Sequence, residues 1–197
     1  MKKIICIFMI LSSLIYADNK TKLTHTMDKS HTSVDFKVTH LVISKVTGVF
    51  KNFESEIKWN PKKLKESYLK GTVYINSIDT NNKKRDQHLN SDDFFDSKQF
   101  PVMLLETTKI KQTKKTGVYN VEANFTMKDV TKKINFELET KGPITDYYGN
   151  VKTAFSTSFS INRFDYNLKW NAALETGELV VGKDVVINID LQANKIK

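Results

Sequence analysis

From His31 onward the chain alternates apolar and polar residues with a period of two. Val34, Phe36, Val38 and His40 fall on one face, and Asp35, Lys37 and Thr39 on the other, the pattern of a half-buried strand. The alternation recurs seven more times. A longer run after Ser44 contains Gly48, which predicts a bulge or sharp bend; Phe53, Ser55, Ile57 and Trp59 then share a face until Asn60-Pro61. Leu69, Gly71, Val73 and Ile75 mark a third strand over about 67–78, and Met103, Leu105 and Thr107 a fourth. Tyr119, Val121, Ala123, Phe125 and Met127 mark a fifth, and Ile134, Phe136 and Leu138 a sixth that Lys141-Gly142-Pro143 breaks. Phe155, Thr157, Phe159, Ile161 and Arg163 mark a seventh. After an irregular stretch over about 166–177, Val185, Ile187, Ile189 and Leu191 mark an eighth.

One segment departs from this pattern, IDTNNKKRDQHLNSDDFFDSKQFP from Ile78 to Pro101. Asp79 and Thr80 carry helix-start chemistry, and a polar run follows with Leu89 as its single apolar residue. Ser91 is expected as an N-cap, with Asp92 and Asp93 in a first turn where the helix dipole favours acids. Pro101 returns the chain to extended geometry. So polar a helix needs a surface for Leu89, Phe94, Phe95 and Phe100 to cover. The expected architecture is all-β: an eight-stranded antiparallel barrel with a short helical segment at about 80–100 capping one end. A two-sheet sandwich would show nearly the same periodicity.

Composition adds a location. Lys2-Lys3, the apolar run from Ile4 to Ile15 and the small Ala17 read as a cleaved secretory signal over residues 1–17, the run being short for a membrane span. Residues 18–29 read as a flexible leader and 30–197 as one domain. Cys6 is the only cysteine, so the mature chain is expected to hold neither disulfide nor thiolate metal site nor cysteine nucleophile. The formal charge of +9 falls to +7 once Lys2 and Lys3 are removed, leaving 29 basic against 22 acidic residues. The excess lies in Lys-rich turns and not among exposed aromatics. That argues against nucleic acid and leaves at most peripheral contact with an anionic membrane.

Candidate chemistry is sparse. Asp86 and His88 stand two apart on the predicted helix and so point to different sides; Arg85 and Asp86 are expected to anchor the helix by charge-assisted hydrogen bonds. His25, His31, His40 and His88 show no metal-ligand spacing. No nucleophile elbow or phosphate loop is present. Arg163 shares the face of Phe159 and Ile161, and a buried cation needs either a carboxylate or a ligand head as partner. The mixture of large aromatics with Ser55, Gly71, Ala123 and Thr157 on the inner face favours a cavity over a filled core.

Several segments together resemble the YceI-like family of periplasmic polyisoprenoid-binding proteins. They are His31-Thr32-x-Val34-x-Phe36-x-Val38-x-His40-Leu41, Gly48-Val49-Phe50-x-x-Phe53, Asp79-Thr80, Arg85-Asp86-x-His88-Leu89, Asp93-Phe94-Phe95-Asp96, Phe100-Pro101 and Ile161-Asn162-Arg163-x-Asp165-Tyr166. Asn167 and Asp129 stand where the family often has glycine. The resemblance implies a lipocalin-like barrel, often dimeric, whose elongated apolar channel holds an isoprenoid quinone, polyprenyl compound or similar long-chain amphiphile. It implies no catalysis and no cofactor beyond the bound lipid. The cavity wall is then expected from Phe36, Val38, Phe50, Phe53, Val73, Ile75, Met103, Leu105, Phe125, Phe136, Phe155, Phe159 and Ile161. His40, Arg163 and Asp165 are candidates for a head group or a polar barrel end, and Asp79, Arg85, Asp86, His88, Phe94 and Phe95 are the structural motif. Two other readings stay open: an enzyme acting on isoprenoid or amide lipids through Arg163, Asp165 or His88, and a stress-related barrel filled by its own side chains.

Overall fold

The computed structural model describes residues 22–172 and 177–197; the expected signal segment, Cys6 and the start of the leader lie outside them. Among the described residues the strands are β1 (His25–His40), β2 (Ser44–Phe50), β3 (Phe53–Lys58), β4 (Tyr68–Tyr74), β5 (Ile78–Asp79), β6 (Val102–Gln112), β7 (Val118–Met127), β8 (Val130–Thr145), β9 (Val151–Asn162) and β10 (Val181–Lys195), with one α-helix, α1 (Lys83–Asn90). Antiparallel pairing runs β10-β9-β8-β7-β6-β4-β3-β1, and β1 pairs back onto β10. Eight staves therefore close into a barrel, not a sandwich. Closure gives every stave a neighbour on both sides.

Several boundaries differ from expectation for local reasons. β1 starts at His25, so the end of the predicted leader is strand: His25 to Asp28 pair with Lys195 to Gln192. A register shift between Asp28 and Ser33 interrupts the alternation there, which is why the pattern became readable only at His31. β2 and β3 are one run broken at Lys51-Asn52, not at Gly48. Gly48 sits in regular pairing opposite Phe36, and a Cβ on it would lie 2.4 and 2.5 Å from atoms of the Phe36 ring. Its role is close approach of the ring to bare backbone, not a bulge. The third predicted strand ends at Tyr74; Ile75–Ser77 is a 3-10 turn. Gly142-Pro143 does not end β8 but marks a register shift between Lys141 and Ile144.

The capping segment also differs in detail. Asn82 is the N-cap of α1 and accepts from the Arg85 amide at 3.1 Å. Ser91 is the C-cap, its hydroxyl donating to the His88 carbonyl at 2.7 Å. Residues 91–100 continue as turns and not as a second helix. Phe94 and Phe95 nonetheless go inward and are buried, with Leu89 packed beside them, whereas Phe100 stays half-buried with Lys128 over its ring at 5.7 Å.

Two packed clusters close the barrel ends. At one end Phe94, Phe95, Ile75, Ile78, Met127, Tyr166 and Leu168 pack with Trp170. At the other, Trp59, Tyr119, Phe155, Ile57, Val121 and Ala123 form the floor, with Trp59 edge-on to Tyr119 at 5.0 Å and to Phe155 at 5.4 Å.

Candidate functional site: an apolar cavity inside the barrel

Alternation turns one residue in two of each stave toward the barrel axis. Between the end clusters these side chains leave a cavity of about 130 Å³. Its wall includes ten of the thirteen predicted residues: Phe36, Phe50, Phe53, Val73, Met103, Leu105, Phe125, Phe136, Phe155 and Phe159. The aromatic side of the wall is ordered by ring contacts, Phe136 stacked on Phe159 at 5.2 Å and Phe125 edge-on to Phe159 at 6.1 Å.

The other three lie elsewhere. Ile75 falls in the 3-10 turn, where strand alternation has ended, and is fully buried in the plug cluster. Val38, Val185 and Ile161 are lateral neighbours across β1, β10 and β9, and neither Val38 nor Ile161 reaches the cavity wall. Met27 and Thr32 do reach it and were missed, because the bulge at the start of β1 hides their alternation. Trp170, which packs on Phe94 at 5.0 Å and on His88 at 5.1 Å, was also missed. It lies in irregular chain, where no period signals inward placement.

Arg163 takes neither partner expected of it. It is buried, and its guanidinium donates to four backbone carbonyls: Nε to Gly182 at 2.9 Å, Nη1 to Leu168 at 2.6 Å and Trp170 at 2.8 Å, and Nη2 to Val181 at 3.0 Å. It thereby binds the chain after β9 to the start of β10 and does not face the cavity. Burial lowers its pKa. Asp165 is half-exposed and pairs with Lys132 at 3.3 Å, and His40 sits at the β1–β2 hairpin; neither is on the cavity wall. Arg163 and Asp165 are thus engaged within the fold. Their neighbour Tyr166 is buried against Phe125, with ring centroids 5.4 Å apart, and burial, followed by the nearby Asp165 charge, pushes the phenol up to about 12.

The motif around α1 is an anchor. Asp86 Oδ1 accepts from the Thr80 amide at 2.9 Å and from its hydroxyl at 2.6 Å, while Arg85 donates to the Thr80 hydroxyl at 2.7 Å and carbonyl at 2.6 Å. Asp79 pairs with Lys51, and that contact holds its carboxyl below the ordinary range. His88 pairs with Asp93 at 3.0 Å and lays its ring against Phe94. Lys128 donates to the Phe94 carbonyl at 2.9 Å. The two positions that depart from the family's glycines meet each other: Asn167 Nδ2 donates to Asp129 Oδ1 at 3.1 Å. Asn167 is left-handed at φ 60°, whereas in the β7–β8 turn the left-handed residue is Lys128 at φ 54°, not Asp129. Among the described residues no group of three or more His, Cys, Asp or Glu is placed to hold a metal ion.

The arrangement can hold an apolar group; of the charged residues that border it, Asp35 accepts from Asn188 at 2.7 Å and Lys70 pairs with Glu56 and Glu106. At about 130 Å³ the cavity is close to the roughly 150 Å³ that holds a benzene, far short of an elongated channel. A longer chain must displace wall residues.

Comparison with known proteins agrees with this architecture. A family model described as YceI-like domain matches residues 25–193. A UPF0312 protein of Staphylococcus aureus strain N315 is 33% identical over 164 residues, covering 81% of this chain and 91% of that one. The crystal structure of the Campylobacter jejuni YceI protein is 32% identical, with a TM-score of 0.68 over 87% of this chain and 98% of that one. A domain from Saccharophagus degradans, described as polyisoprenoid-binding, shares the fold at a TM-score of 0.70 and 16% identity, covering 89% of this chain and all of that one.

Proposed function

This chain belongs to the YceI-like family, and on that premise we propose that its barrel binds the tail of a long-chain isoprenoid or similar amphiphilic lipid, and that it carries this lipid in the periplasm after its signal segment is removed. One observation carries the reading: a cavity inside the barrel whose wall is overwhelmingly apolar and receives side chains from every stave. The polyisoprenoid-binding description of the Saccharophagus domain supports the ligand class. The protein acts as a binding module and not as an enzyme, since Arg163, Asp165 and His88 are each committed to structural contacts.

Exchange with a bilayer has a candidate contact. The β1–β2 hairpin ends in Leu41, Val42 and Ile43, which are 38, 51 and 88% exposed. Three apolar residues at one fingertip are too few for a stable protein interface but suit shallow insertion beside lipid headgroups, with Lys45 adjacent.

Native mass spectrometry of protein recovered from the periplasm, followed by solvent extraction, tests the reading. The expected result is a mass lacking residues 1–17 and an intact long-chain lipid. A ligand-free barrel that takes up no isoprenoid on incubation would overturn it.

A further inference from the structure

The barrel has an unlaced seam between β1 and the β2–β3 run. β1 pairs with β2 from Asp35 to His40, and with β3 at the single position His25↔Ile57. Between these, residues 26–34 of β1 and 50–56 of the facing chain form no ladder. Met27, Thr32 and Val34 on one side of the seam, and Phe53, Ser55 and Ile57 on the other, all line the cavity. A second gap lies between β8 and β9, where residues 130–137 and 158–162 form no ladder, but there Phe136 stacks on Phe159 at 5.2 Å and closes the wall. The β1–β3 seam is therefore where an occupant can reach the interior without breaking strand hydrogen bonds or parting that ring stack.

The seam also carries an unpaired polar atom. The inward hydroxyls of Thr32, Thr107 and Thr157 each engage backbone, with the Asp28 carbonyl at 2.7 Å, the Leu69 amide at 2.9 Å and the Glu137 carbonyl at 2.8 Å. The Ser55 hydroxyl is buried and has no partner among the described residues. Its cross-strand neighbour is Gly71, and a Cβ built there meets nothing within 4 Å. An orphan hydroxyl thus stands beside empty space, and buried hydroxyls are ordinarily satisfied.

We propose that the polar end of the ligand lies at this seam, in the space beside Gly71, hydrogen-bonded to Ser55, with its tail running into the cavity. The head is small and uncharged, an alcohol or a carbonyl, because Ser55 can donate and accept and the cation that borders the cavity there, Lys70, is already paired with Glu56 at 3.3 Å and Glu106 at 3.9 Å, leaving none on the described wall free to neutralise a phosphate. The assignment rests on the lipid-binding reading and replaces Arg163 as the head-group residue.

Calorimetric titration of farnesol, farnesene and farnesyl diphosphate into wild type and Ser55→Ala tests it. Wild type should prefer farnesol over farnesene by about five- to tenfold, the worth of one hydrogen bond, and should bind the diphosphate more weakly than the alcohol. Ser55→Ala should lose the preference for farnesol while keeping its affinity for farnesene. Its melting temperature should not fall, since the lost hydroxyl had no partner. A Cys6→Ser, Ser55→Cys chain should react with a small methanethiosulfonate, and saturating farnesol should slow that reaction. A farnesol preference that survives Ser55→Ala, or labelling that farnesol does not slow, overturns the assignment while lipid binding stands. Failure of both farnesol and farnesene to bind wild type removes the lipid site and this assignment together.

Discussion

Arg163 shows how a single residue's role is set by what surrounds it. On period alone it pointed inward like Phe159 and Ile161, but β9 ends at Asn162 and the backbone turns. The guanidinium then meets carbonyls, whose four acceptors match its fixed fork of donors. Arg163→Met should orphan those carbonyls and lower stability by roughly 3 kcal/mol, read as a shift in urea midpoint. Selectivity among lipid head groups should not change; a selective loss of polar-headed ligands at unaltered stability would return Arg163 to the binding site. Gly71 makes the opposite case. Its space is empty, so Gly71→Phe should fold with an unchanged melting temperature and fill the cavity instead, abolishing tail binding in the same titration.

At the scale of elements, two features of β1 carry their own tests. Its bulge is gathered around Asp28, whose carboxylate accepts from Ser30 at 2.7 Å and from Lys152 and Gln192 at 3.1 Å each. These contacts, Ser30 first, hold its pKa well below the ordinary carboxylate range. A depressed folded-state pKa stabilises the fold above the unfolded value near 3.9, and that stability is lost as pH falls further. Wild type should therefore lose melting temperature more steeply than Asp28→Asn below about pH 4, and parallel curves would show the cluster to be inert. At its other end β1 turns through Leu41 and Val42 with φ of 51° and 65°. That left-handed backbone costs an L-residue about 1–2 kcal/mol. Val42→Gly should recover about 1 kcal/mol in a denaturant melt. Ile43→Asp should leave the melt unchanged and reduce co-sedimentation with anionic phosphatidylglycerol vesicles; equal sedimentation of the variant and wild type would remove the hairpin tip from the membrane contact.

For the whole molecule, the question is how far a cavity of about 130 Å³ opens. Each methylene taken from water contributes about 0.8 kcal/mol, offset by ordering of the tail and by displacement of wall side chains. The unbranched Met27 and the leucines Leu69 and Leu105 have the rotamer freedom to move, whereas Phe125, Phe136 and Phe159 are held by their ring contacts. Affinity across a prenol series of increasing length should rise and then level off once the movable residues are displaced. Affinity that stays flat from the shortest member would mean a barrel filled by its own side chains.

The sequence by itself determined the period-two staves, the apolar inner face and the cap between β5 and β6, because strand alternation and turn chemistry are local and survive in the order of residues. That is why ten of thirteen wall residues were legible, and why the family motif placed Arg85 and Asp86 at an anchor. Where alternation fails, the reading failed with it: at the 3-10 turn carrying Ile75, at the bulge that hid Met27 and Thr32, and in the irregular chain carrying Trp170. Only the tertiary structure decided the partners of Arg163, the size of the cavity and the seam beside Ser55. Each depends on which staves meet and where a ladder stops, and contacts between residues distant along the chain leave no period to read.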